Sequence, residues 1–193
     1  LRELDADSDN LKSDAIMTIS QVFCVGENEI TDIRAIKKGM TNRSFLFSAK
    51  GERYIMRIPG EGTDKLINRV NEAKVFETIS GLGLCDDPVY IDPVRGYKIT
   101  RYLDNIRVCD PEDEDDLKRC MTLLKKFHDM KLRVDHSFDI FGQIEFYESL
   151  WEGKPSIYRD YSKTKANVLA LKSFIDDAVD PEDRCLTHID AVM

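Results

Sequence analysis

The sequence predicts an α+β protein in two parts, about five short antiparallel strands with one inserted helix followed by a mostly helical remainder. Three observations carry this. Residues 44–58 alternate apolar and polar side chains around a glycine turn, the period of a strand. Residues 66–79 then change to helical spacing. Beyond an acidic stretch at 104–116, apolar residues recur only at helical intervals.

Each element follows in order. Leu11, Ala15, Ile16, Ile19, Val22 and Phe23 share one stripe, so a leading helix over 11–23 packs its apolar face on whatever follows. Extended segments are expected over 29–38 and 44–50, the second with Phe45, Phe47 and Ala49 on one side and Ser44, Leu46 and Ser48 on the other. Gly51-Glu52 turns the chain into a strand over 53–58. Tyr54, Met56 and Ile58 then share one face, and Arg53, Ile55 and Arg57 the other. The Pro59-Gly60-Glu61-Gly62-Thr63 loop breaks the sheet. Leu66, Ile67, Val70, Ala73, Phe76, Glu77 and Ile79 follow helical spacing until Gly81, which puts Glu72 mid-helix. Strands over 88–92 and 97–103 flank a turn at 93–96, completing a small α+β lobe.

Between Asp104 and Asp116 stand seven acids and one base, Arg107, the composition of a linker or helix start. The division into lobes is placed there, as 1–103 and 104–193. After it, Leu117, Cys120, Met121, Leu124, Phe127 and His128 form a stripe, with a shorter helix over 144–151 and a long one over 163–179. There is no internal repeat.

A chain of 193 residues, 42% hydrophobic and 33% charged, suffices for one sizeable core or two small lobes. A net charge of -8 and a pI near 5.0 argue against a nucleic-acid surface, which draws on clustered Lys and Arg. A cationic small substrate is easier to accommodate. Cys24, Cys85, Cys109, Cys120 and Cys185 are scattered, odd in number and without a C-x-x-C pair, as expected of reduced thiols in a cytoplasmic protein. No apolar run approaches the roughly 18 to 20 residues that span a bilayer, so membrane insertion is not expected. Acidic residues stand where a signal peptide carries basic ones. Nothing in the pattern sets an oligomeric state.

Several residues are candidates for chemistry. The turn Lys38-Gly39-Met40-Thr41-Asn42-Arg43-Ser44 is either an ordinary hairpin or a cover for nucleotide phosphates, using its backbone amides with Thr41 and Asn42. Arg57 would project a fixed cation beneath that turn, and Glu72, fifteen residues later, can hold it in place. This is either a phosphate clamp or a surface ion pair worth under about 1 kcal/mol. His128 lies on an apolar stripe and reads as a packed or capping residue, the 110–116 acids as a solvated helix start, and Trp151 as a core anchor. The run Cys185-Leu186-Thr187-His188-Ile189-Asp190 carries an apolar strand into His-x-Asp, which offers either a loop carboxylate beside a half-buried histidine or the carboxylate that orients an attacking hydroxyl.

The order of these features is more specific than any one of them: Gly39-Met40-Thr41-Asn42, Tyr54-Ile55-Met56-Arg57-Ile58-Pro59-Gly60, Asn68-Arg69-Val70-Asn71-Glu72-Ala73, Ile99-Thr100-Arg101-Tyr102, then His188-Ile189-Asp190. The chain resembles the choline/ethanolamine kinase family from about residue 10 onward, nearest its bacterial choline kinases, within the group that includes aminoglycoside phosphotransferases. The resemblance implies a protein-kinase-like two-lobe fold holding ATP, with γ-phosphate transfer to a small alcohol such as choline or ethanolamine and Mg²⁺ as the metal. It implies that Gly39, Met40, Thr41 and Asn42 cover the phosphates, that Arg57 replaces the usual strand Lys with Glu72 as its partner, and that Thr100, Arg101 and Tyr102 form the adenine hinge. It makes Asp190 the base and His188 a loop-positioning residue. In this family a metal-binding Asn follows the base by five positions and an Asp comes later. Both would fall past Met193, so the resemblance also implies an N-terminal fragment that does not turn over alone.

Overall fold

The structure is a computed structural model that describes residues 2–36, 42–60, 62–63, 66–86 and 88–188. Five strands form one antiparallel sheet in the order β1-β2-β3-β5-β4: β1 Thr31–Ile36, β2 Asn42–Ala49, β3 Glu52–Pro59, β4 Pro88–Ile91 and β5 Lys98–Arg101. The helices are α1 Arg2–Phe23, α2 Arg69–Ile79, α3 Glu114–Asp129, α4 Ile140–Ser149, α5 Tyr161–Leu169 and α6 Leu171–Ala178. Contacts divide the chain into two compact units, the first through Cys120 and the second from Met121 onward.

Alternation on β2 and β3 sorts the first unit into two faces. On one, Phe45, Phe47, Ala49, Tyr54, Met56, Ile58 and Ile99 are buried with Ala15, Ile19 and Phe23 of α1. Phe23 stands edge-on to Phe47 at 5.8 Å and tilted on Tyr54 at 4.6 Å, so aromatic contacts add to area burial in fixing α1 on the sheet. On the other face, Ser44 opposes Arg57, Leu46 opposes Ile55, and Arg57 opposes Lys98. Leu46 is buried there as well, so β2 is covered on both sides. The hairpin between β2 and β3 turns at Lys50 and Gly51, with φ of 52° and 79°, rather than at Gly51-Glu52. Two left-handed residues give the twist that matches paired strands, and glycine takes such a φ without strain.

The helix boundaries differ from the apolar periodicity where local capping wins. α1 begins at Arg2, well before residue 11. α2 begins at Arg69 rather than at Leu66, because the Asn68 side chain accepts the Asn71 N–H at 3.0 Å and caps it. Leu66 and Ile67 instead donate their N–H groups to the Thr63 carbonyl at 3.1 and 3.0 Å. Glu72 therefore sits in the first turn of α2, not mid-helix. Gly81, with φ of 71°, follows the end of α2 as expected. α4 starts at Ile140 instead of 144, where Asp139 accepts the Phe141 N–H at 3.1 Å. The single helix expected over 163–179 is two, broken at Ala170, whose ψ of -18° tightens the turn. Trp151 is not a core anchor: it is 36% exposed, its ring tilted against Tyr161 at 5.1 Å.

The acidic stretch builds the start of α3. Asp113 accepts the N–H groups of Asp115 and Asp116 at 2.8 and 3.3 Å, an N-terminal cap. Arg107 grips Asp116 with two bonds, Nη1 to Oδ2 and Nη2 to Oδ1, the latter at 2.7 Å, while the Asp110 N–H donates to Oδ2 at 3.0 Å. These partners, the guanidinium first, hold the Asp116 carboxyl at about 2, below the ordinary 3.8. A depressed carboxyl stabilises the fold fully above its ordinary value and loses that contribution as pH falls toward the folded value. The expected outcome is that this clasp opens with a midpoint near pH 2, its stabilising contribution shrinking from about pH 4 downward. The carboxyl chemical shift of Asp116 followed through acid checks it, and a midpoint at the ordinary carboxylate value would refute the clasp.

All five cysteines are free thiols, yet the fold brings two of them together, Cys109 Sγ and Cys120 Sγ lying 3.5 Å apart. No helix among the described residues is long and apolar enough to cross a membrane.

Candidate active site

The sheet face opposite α1 carries the cations. Arg57 leaves β3 on this face and its Nη2 bonds Glu72 Oε1 at 2.8 Å, with both side chains about one-fifth exposed. The pair inferred from a spacing of fifteen residues is therefore formed, and it is partly desolvated rather than a loose surface contact. Glu72 is held a second time. Arg69 Nη1 bonds its Oε2 at 2.9 Å, and Arg69 Nη2 donates to Thr63 Oγ1 at 3.1 Å. Arg69, buried by its packing against Gly96 and Pro59, was not singled out from the sequence. A side chain on Gly96 would meet the Arg69 Cδ at 2.7 Å, which explains a glycine with φ of 71° there.

Lys98 is the second residue that sequence reading passed over. It faces Arg57 across the β3–β5 ladder, its Nζ 3.8 Å from Asp86 and 4.2 Å above the Phe76 ring. Burial pushes its pKa down from the ordinary value and Arg57 adds to this, against the opposing pull of Asp86 and Glu72. The alternation that revealed Arg57 applies equally to Lys98 and Thr100, so the signal was present in β5.

Two arginines thus share the Glu72 carboxylate, with Lys98 opposite Arg57 on the neighbouring strand. The Nε of Arg57 is buried with no partner, and so is that of Arg69. A buried unmatched guanidinium donor is costly, and an anionic oxygen is the acceptor that best relieves it. That fits nucleotide phosphate on this face.

The remaining predicted residues fall as follows. Asn42 opens β2 opposite Pro59, on the edge of the face that holds Ser44 and Arg57. Gly39, Met40 and Thr41 lie outside the described residues. Thr100 is buried inside β5 between β3 and β4, and Arg101 lies 5.9 Å from the Tyr54 ring. The Tyr102 N–H already donates to the Arg53 carbonyl at 2.9 Å, so any adenine contact from this segment uses its other backbone groups. In the second unit, the His188 N–H donates to His128 Nε2 at 3.1 Å. Asp190 lies outside the described residues. Among the described residues no cluster of three or more His, Cys, Asp or Glu side chains is arranged to hold a metal ion.

No family model matches the chain. Protein LicA of Haemophilus influenzae is 29% identical over 128 residues, which is 65% of this chain and 38% of that protein. LicA of the H. influenzae strain KW20/Rd is 28% identical over 127 residues, 64% of this chain and 48% of that protein. The chain thus spans under half the length of the curated relatives it matches. Among solved structures, choline kinase LicA from Streptococcus pneumoniae superposes with a TM-score of 0.74 at 26% identity, covering 95% of this chain and 62% of that one. LicA in complex with AMP gives 0.67 at 28% identity, over 84% of this chain and 56% of that one. A choline/ethanolamine kinase family protein from Mesorhizobium loti shares the fold at a TM-score of 0.63 and 21% identity, covering 88% of this chain and 55% of that one.

A five-stranded antiparallel sheet, an Arg–Glu pair between β3 and α2 and a helical second unit define a protein-kinase-like α+β fold. The LicA likenesses narrow this further, to a similarity with choline kinases of the LicA type.

Proposed function

We propose that the chain is the nucleotide-binding part, with the beginning of the helical part, of a kinase that transfers the γ-phosphate of ATP to the hydroxyl of choline or ethanolamine. One observation carries this reading: Arg57 is held by Glu72 at 2.8 Å on a LicA-like fold and keeps a buried Nε without a partner. A phosphate oxygen is an acceptor that would satisfy that donor. Arg57 supplies positive charge to the phosphates, Glu72 and Arg69 fix its position, and the segment Thr100–Arg101–Tyr102 borders the adenine. Gly39, Met40, Thr41 and Asn42 close over the phosphates with their backbone amides. Asp190 accepts the proton of the attacking hydroxyl while His188 shapes the loop before it. Mg²⁺, when bound, neutralises charge on the phosphate oxygens. A net charge of -8 suits a cationic alcohol, and free thiols suit a cytoplasmic location.

The test is phosphate transfer from ATP by the complete protein, with choline, ethanolamine and a panel of aminoglycosides, with and without Mg²⁺. Metal-dependent turnover selective for choline or ethanolamine is expected. Preference for an aminoglycoside would replace the acceptor, and nucleotide binding without transfer to any acceptor would overturn the enzyme reading.

A further inference from the structure

We propose that His128 is a positioning residue for the candidate catalytic loop, fastening the backbone at His188, two residues ahead of Asp190 in sequence. The inference rests on reading residues 188–190 as that loop. His128 lies in the last turn of α3, and its Nε2 accepts the backbone N–H of His188 at 3.1 Å across sixty residues of sequence. Two further attachments precede it. Arg133 Nη1 bonds Glu182 Oε2 at 3.1 Å, and the Leu186 N–H donates to the Leu132 carbonyl at 2.6 Å. The segment leading into the loop is therefore fastened at 182, 186 and 188 to the end of α3 and the residues after it.

The three attachments are not equivalent. That at Leu186 is backbone to backbone and survives any side-chain change, and that at Glu182 is exposed, joining Arg133 to both the carboxylate and the backbone carbonyl six residues before His188. The imidazole is the attachment nearest Asp190 and depends on one ring nitrogen. To accept, Nε2 must be without a proton, so the ring carries its proton on Nδ1. A misplacement of about 1 Å in a group that must meet a reacting hydroxyl costs on the order of a hundredfold in rate. Without the bond at 188, the nearest preceding attachment in sequence is the backbone bond at 186. The effect belongs in kcat, because the attachment precedes the residue read as the base and involves none of the residues read as the phosphate clamp.

The test pairs His128→Phe, which keeps a ring but offers no acceptor, with His128→Gln, whose Oε1 can take the place of Nε2. Hydrogen exchange of the His188 amide is measured in each, with the Leu186 amide as internal reference. In the complete protein, kcat and the KM for ATP are measured alongside. The expected result is faster exchange at His188 but not at Leu186 in H128F, with kcat down about ten- to a hundredfold, KM for ATP within about twofold, and both properties recovered in H128Q. Unchanged exchange in H128F would overturn the anchor while leaving the kinase reading intact. Faster exchange with undiminished kcat would overturn the positioning role. Absence of phosphate transfer in the unsubstituted protein would remove the function and this role together, and the acceptor panel described above identifies that case separately.

Discussion

Asp190→Asn in the complete protein is expected to lower kcat for phosphate transfer by about two to four orders of magnitude, the range for loss of a general base, with ATP affinity within about twofold of the original. Asn keeps the size and one accepting oxygen of Asp but cannot take up the hydroxyl proton. If the carboxylate acts on the alcohol alone, the nucleotide bound through the sheet face of the first unit should not register the change. Steady-state transfer to choline, combined with calorimetric ATP binding, separates the two effects. The placement comes from the run His188-Ile189-Asp190 and the family resemblance, and the described residues reach to His188, held by His128. Undiminished turnover would remove Asp190 from the chemistry. A parallel loss of ATP binding would instead show that the substitution disturbs the nucleotide side.

What the sequence made legible depended on the range of the forces involved. Alternation on β3 is a local property, and it placed Tyr54, Met56 and Ile58 in the core and Arg57 on the opposite face, as found. The stripe on α1 was equally local, and Ala15, Ile19 and Phe23 are buried where it put them. The same argument stopped short at the start of α2. There Leu66 and Ile67 extend the apolar period, but the Asn68 cap and the Thr63 carbonyl take over the backbone bonds. That shift moves Glu72 into the first turn, but its i,i+3 spacing from Arg69 was legible with either boundary, and the second arginine on its carboxylate was passed over. The break at Ala170 falls on the best helix former and leaves no compositional trace. Trp151 looked like an anchor because large aromatics usually are, yet its partner is a single ring. Tertiary bonds between distant residues, His128 to His188 and Cys109 to Cys120, had no signature to read.

Arg57→Ala is expected to weaken ATP binding by about ten- to a hundredfold, the roughly 1.5–3 kcal/mol carried by hydrogen bonds to a charged group. The architecture around Glu72 lets this effect be separated from unfolding. Removing one member of a buried pair usually leaves an uncompensated charge and destabilises the fold by several kcal/mol. Here Glu72 keeps Arg69 at 2.9 Å, so its carboxylate is not orphaned when Arg57 is lost. The melting temperature should then move little while ATP affinity falls. Arg57→Lys should recover only part of the affinity, because a single ammonium cannot contact Glu72 and phosphate oxygens in the planar, forked geometry of a guanidinium. Glu72→Gln should weaken binding less than Arg57→Ala, since it loosens the arginine without removing its charge. The double variant should be little worse than Arg57→Ala alone, because a holder has nothing to hold once the cation is gone. Calorimetric ATP titration and thermal melting of the four proteins check this pattern. Normal ATP affinity in Arg57→Ala would sink the phosphate clamp, and additive losses in the double variant would mean that Glu72 acts on the nucleotide by a route other than Arg57.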